Sequence, residues 1–145
     1  MRLTVMSDYA LRVLLYTAAY PDRLVTIDET QEAYDISRGH LMKIVGTLAS
    51  AGMLRSQRGR SGGFTLGRPP EEIRLGDVLR LTEPDFEMVE CFRPDNACAI
   101  TPVCRLPGLV NEALSAFMEV MDRYTLADLI LQPQAFGELR PAGRG

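Results

Sequence analysis

Residues 37–66 read SRGHLMKIVGTLASAGMLRSQRGRSGGFTL. Ser37 has the short hydroxyl side chain that caps a helix N-terminus. Leu41, Ile44, Val45 and Leu48 follow at i, i+3, i+4 and i+7, one apolar stripe on a helix. Lys43, Gly46 and Ser50 lie opposite, flanked by His40, Met42 and Thr47, and Gly52 stops the helix. Two strand candidates come next, Leu54–Gln57 and Phe64–Leu66. They are joined by Arg58-Gly-Arg-Ser-Gly-Gly63, in which Gly62-Gly63 is expected to supply the positive φ of a hairpin reversal.

Upstream, a helix is predicted over 7–20. Tyr9, Leu11, Val13, Leu14, Leu15 and Ala18 make it apolar on most sides, and Pro21-Asp22 ends it. Thr26-Ile-Asp-Glu29 spells a capping box for a short helix over 27–34. Asp35-Ile36-Ser37 then connects two helices at helix-turn-helix length. Three helices followed by a hairpin are the order of a winged helix-turn-helix, so the fold class is mainly α with a small β-hairpin wing.

Downstream, Pro69-Pro70 punctuates the chain, Ile73 begins a short strand and Gly76–Leu81 forms a short helix. Residues 84–107 hold four prolines and every cysteine and read as a loop. A long helix follows over 108–124, with Asn111, Glu112, Ser115, Glu119 and Asp122 facing outward. Its apolar side is too wide for a thin domain to cover alone, which makes it a dimerisation helix. Val110, Leu114, Phe117, Met121 and Tyr124 are the interface candidates. Thr125-Leu-Ala-Asp128 caps a brief helix to 131. The chain thus divides into a DNA-binding head (1–82), a loop (83–107), the dimerisation helix with its short successor (108–131) and a frayed tail (132–145).

The 145 residues are 46% hydrophobic and 24% charged, which excludes a wholly disordered chain. No apolar run reaches the ~18–20 residues of a membrane span. The N-terminus carries Arg2, Asp8 and Arg12, unlike a secretory signal, so a cytoplasmic location is expected. The net charge of −3 is uneven. Residues 36–70 contain Arg38, Lys43, Arg55, Arg58, Arg60 and Arg68 and no acid. A basic window in an acidic chain suits a polyanion, here double-stranded DNA. Ser37, Arg38, His40 and Lys43 sit where a recognition helix meets the major groove. Arg55, Arg58 and Arg60 on the wing suit phosphates or the minor groove. No catalytic triad, phosphate loop or metal-hydrolase motif is present, so an enzyme is not expected.

Cys91, Cys98 and Cys104 are spaced C-x6-C-x5-C. Paired zinc ligands are usually closer, and an odd number of cysteines is not a disulfide framework. Wide gaps suit a cluster several ångströms across, but three thiolates leave a fourth position to a carboxylate, a histidine, a small molecule or nothing. A zinc site, a thiol switch and a small electron-transfer protein remain alternatives at this point.

Four stretches carry a resemblance: MRLTVMSDYALRVLLYTA, the run from Ile36 to Arg80 with RGRSGGFTLGRP and IRLGDV, the cysteine spacing ending in CRL, and YTLADL. Over residues 1–131 the chain resembles the nitric-oxide-sensing repressors of a winged-helix family of iron–sulfur transcription regulators. The resemblance implies a homodimer on operator DNA, with nitric oxide as effector. It also implies an iron–sulfur cluster, 4Fe–4S rather than 2Fe–2S, on Cys91, Cys98 and Cys104, completed by Asp8 from the partner subunit. On its own sequence context Asp8 reads as an N-terminal cap or first-turn acid, and Glu90 and Asp95 lie nearer the cysteines. The cluster-biogenesis branch of the same family places a histidine ligand three residues after the last cysteine. Here that position is Pro107, and the sole histidine, His40, lies in the basic window.

Overall fold

The computed structural model describes residues 2–138. Helix α1 (Val5–Ala19) runs through the centre of the head, with Ala10, Val13 and Leu14 fully buried. It begins earlier than expected because Thr4 is the cap, accepting the Ser7 N–H at 3.3 Å. Asp8 therefore lies inside the first turn rather than at the cap.

Helix α2 (Ile27–Tyr34) opens on half of the expected capping box: the Glu29 N–H donates to the Thr26 cap at Oγ1, while Glu29 Oε2 accepts the Thr26 hydroxyl rather than its backbone N–H, both at 3.2 Å. It ends at Asp35 in the left-handed region (φ 55°), a conformation that Asp tolerates better than most residues. That single residue turns the chain into α3 (Arg38–Ser50), whose Leu41, Ile44, Val45 and Leu48 are buried. Helix α3 closes with two bonds: Gly52 N–H donates to Ala49 O at 3.0 Å and Met53 N–H to Leu48 O at 2.9 Å. With Gly52 at φ 72°, this is a Schellman ending.

Strands β1 (Leu54–Gln57) and β2 (Gly63–Leu66) pair antiparallel, with Leu54 opposite Leu66 and Ser56 opposite Phe64. The positive φ in their turn is at Gly59 (118°), not at Gly62-Gly63 as expected from sequence. The latter pair is needed for close approach instead. A Cβ at Gly63 would lie 2.5 Å from Val25 O, because Val25 and Phe64 exchange backbone hydrogen bonds of 2.8 and 2.9 Å. The wing is thereby pinned to the strand-like segment before α2, with the Phe64 side chain in the core.

Helix α4 (Leu75–Thr82) follows a 3-10 turn over Pro70–Glu72. These two elements leave no room for the strand expected at Ile73, which reduces to one bridge between Arg74 and Thr125. Ile73 and Leu126 bury their side chains on either side of it.

Helix α5 (Leu106–Arg123) packs on α4 and has no fully buried residue. Val110, Leu114, Met118 and Met121 are half-buried, whereas Leu109, Ala113, Phe117, Val120 and Tyr124 are exposed. Asp122, expected to face outward, is held by Arg80 of α4 through two bonds of 2.7 Å. That guanidinium keeps the Asp122 carboxyl below the usual carboxylate range.

The frayed tail expected from Gln132 is corrected over α6 (Gln134–Glu138). Phe136 packs edge-on to Tyr16 and Tyr34, with ring centroids 5.0 and 6.1 Å away. Apolar enclosure of this kind is invisible in a short tail with no periodicity. Residues 139–145 of that expected tail lie outside the described residues. Among the described residues no helix is long and apolar enough to cross a membrane.

Candidate nucleic-acid interface and cysteine segment

Helix α3 presents its N-terminal half outward. Ser37 caps it, accepting the His40 N–H at 3.4 Å and sharing a 3.0 Å hydrogen bond with His40 Nδ1. The His40 ring is thus drawn back over the helix start, where Tyr9 of α1 meets it edge-on at 6.0 Å. Arg38 is exposed but ion-paired with Asp28 of α2. Lys43, Arg55, Arg58 and Arg60 are exposed and make no ion pair among the described residues. Arg68 is different: it donates to Ala51 O at 3.4 Å, satisfying the C-terminal end of α3. The basic window therefore resolves into one structural cation, one shared cation and four that are unneutralised. All four belong to α3 and the wing.

The cysteine segment hangs between α4 and α5. Cys91 lies in a 3-10 turn (Glu90–Phe92), half-buried; Cys98 is exposed; Cys104 is half-buried at the foot of α5. All three are free thiols. The segment's backbone bonds are short-range turns, such as Arg93 N–H to Glu90 O at 3.0 Å and Cys104 N–H to Ile100 O at 2.9 Å. Among the described residues no three His, Cys, Asp or Glu side chains gather closely enough to hold a metal ion. The single chain thus carries the three sulfurs on one segment without converging them. The donor set nevertheless fits an iron–sulfur cluster. Soft thiolates suit iron, and Cys104 Sγ accepts the Leu106 N–H at 3.4 Å, the kind of contact by which proteins tune such centres. Glu90, one of the nearer carboxylates, already accepts the Ala97 N–H at 3.1 Å.

Asp8 accepts two bonds from Arg12, at 2.8 and 3.1 Å, an i,i+4 pair legible in the sequence. The same guanidinium stands 5.7 Å from the Tyr9 ring centre and 5.9 Å from that of Tyr34. Sequence reasoning missed Glu83, which roots the cysteine segment. Its Oε1 accepts the Thr4 N–H at 2.8 Å, the Thr4 hydroxyl at 3.1 Å and the Ser7 hydroxyl. No local signal links residues that far apart in the chain. These bonds clamp the N-terminus of α1, one position from Asp8, to the residue that begins the loop.

Residues 3–132 match the Rrf2 family, described as an iron-dependent transcriptional regulator. The chain is 48% identical over 132 residues to the HTH-type transcriptional regulator NsrR of Bacillus subtilis strain 168, covering 90% of each chain. It is 42% identical over 146 residues to NsrR of Halalkalibacterium halodurans, covering 97% of this chain and 100% of that one. Among solved structures, the oxidised form of Staphylococcus aureus CymR is similar with a TM-score of 0.69 and 28% identity, over 87% of this chain and 93% of that chain. The curated relatives are named as transcriptional regulators, which are not enzymes. Matched over nearly its whole length, the chain belongs to the Rrf2 family of winged-helix transcriptional regulators.

Proposed function

We propose that the protein is a homodimeric, cytoplasmic repressor that binds operator DNA and releases it in response to nitric oxide. Cys91, Cys98 and Cys104 would hold a 4Fe–4S cluster, with Asp8 of the partner subunit as fourth ligand. The observation that carries this reading is one chain's combination of an unneutralised cationic helix and wing with three free thiols on a turn-built segment. The relatives' name supports the nitric-oxide branch. A bound cluster supplies iron that reacts with nitric oxide.

The chain's own residues supply the coupling. Glu83 ties the start of the cysteine segment to Thr4 and Ser7, so a shift of the segment pulls on α1. Helix α1 packs directly on α3, and Tyr9 meets His40. Asp8 has a resident partner in Arg12, so its carboxylate is shared or exchanged when it serves as a ligand. A tenfold change in DNA affinity requires only about 1.4 kcal/mol of difference between two arrangements of the heads.

Visible absorption of anaerobically purified protein, read beside retardation of a selected operator, tests the reading. A brown protein that retards specific DNA supports it; a colourless or non-binding one contradicts it. Asp8→Ala is expected to leave three thiolates able to hold the cluster while altering its spectrum and its rate of reaction with nitric oxide. The lost exposed pair with Arg12 costs at most about 0.5 kcal/mol of stability. Superimposable spectra and equal rates would remove Asp8 from the ligand set. On the wing, Arg58→Ala and Arg60→Ala are each expected to weaken binding to all sequences. Each should also flatten the salt dependence by about one unit, measured by titration at several salt concentrations.

A further inference from the structure

We infer that Met42 reads the methyl group of a thymine in the operator, making it a specificity-determining residue; this rests on the proposal that α3 enters the major groove. Met42 is 59% exposed, although α3 buries its other large apolar residues Leu41, Ile44, Val45 and Leu48. It contributes nothing to the head's core. Gly39 and Gly46 stand three residues before and four after it, on the same face of the helix. A Cβ at either glycine would meet nothing within 4 Å. Packing inside the protein therefore does not require glycine at these positions, and each weakens the helix relative to alanine.

Bare backbone on both sides of Met42 lets the helix close onto a surface from outside. Lys43 stands beside it, exposed and unpaired, suited to a phosphate. An apolar side chain projecting from such a platform finds one apolar group on the base edges of the major groove, the thymine C5-methyl.

The test uses full-length protein purified anaerobically and an operator duplex selected from random sequence. Each thymine of a half-site is replaced singly by deoxyuridine, which removes only the methyl. At one thymine per half-site, wild-type affinity is expected to fall about three- to fivefold, the size of one buried methyl. Met42→Ala is expected to bind the operator more weakly and to ignore that replacement, whereas Met42→Leu retains most of the discrimination. Gly39→Ala and Gly46→Ala are expected to raise Tm and yet weaken operator binding. The inference is overturned if no deoxyuridine position separates wild type from Met42→Ala, or if the glycine variants bind as tightly as wild type. If the wild-type protein selects no duplex at all, the DNA-binding reading falls and this inference with it. Selective binding without methyl dependence overturns the role of Met42 alone.

Discussion

A protein carrying Phe117→Glu and Val120→Glu is expected to be monomeric and to lose at least about a hundredfold in operator affinity. Leu109, Ala113, Phe117, Val120 and Tyr124 recur along one side of α5 and are all exposed, with Leu109 at 64%. An exposed apolar stripe of this length, beside the side that packs on α4, marks an interaction surface. A second copy of the same helix is the occupant proposed here. Two linked winged heads on two half-sites bind with an effective concentration that one head lacks, typically a gain of about 10²–10⁴. Two carboxylates placed in the stripe abolish that linkage. The head's own core is built from other residues, so helical circular dichroism is expected to persist. Sedimentation and operator titration provide the check; a dimer that survives both charges contradicts the interface.

Cys98→Ser is expected to remove the visible absorption of the holoprotein almost completely, and with it the response of DNA binding to nitric oxide. Exchange of a soft sulfur for a hard hydroxyl oxygen leaves two thiolates for an iron–sulfur centre. Cys98 is exposed and free, and no core residue depends on it. The stability of the cluster-free protein is therefore expected to stay within about 0.5 kcal/mol of wild type. Chemical denaturation of both cluster-free proteins separates loss of a ligand from loss of fold. A Cys98→Ser protein with full colour and a full nitric-oxide response removes this cysteine from the proposed ligand set.

The elements were legible where their causes are local. The Thr26 cap, the Ser37 cap, the Leu41–Leu48 stripe and the Gly52 ending are all contained within a few turns of helix, and each forms as read. Most of what escaped depends on residues far apart in the chain, the Thr4 cap of α1 and the positive φ at Gly59 being local exceptions. The Val25–Phe64 bridge explains why Gly63 must lack a side chain, and a hairpin motif alone assigned it to backbone dihedrals instead. The Arg80–Asp122 pair links α5 to α4 at the solvent-exposed surface, a partnership that the helical pattern alone could not show. The apolar side of α5 read as a single stripe through Val110, Leu114, Phe117, Met121 and Tyr124. Packing on α4 divides it: Val110, Leu114 and Met121 are half-buried, while Phe117 and Tyr124 stay exposed. In the basic window, charge was legible but pairing was not. Arg68 satisfies the end of α3, and Arg38 is shared with Asp28. The cysteine spacing was plain, yet the clamp by which Glu83 joins that segment to α1 was beyond any local pattern.

The central claim joins two ends of the molecule, a thiol-rich segment and a DNA-reading head. It is tested most directly by retardation of the selected operator by anaerobic holoprotein during stepwise addition of nitric oxide. The account predicts that retention is lost as nitric oxide is added, at concentrations where random DNA was never retained. Retention that persists unchanged after the visible spectrum has been fully altered by nitric oxide would contradict it.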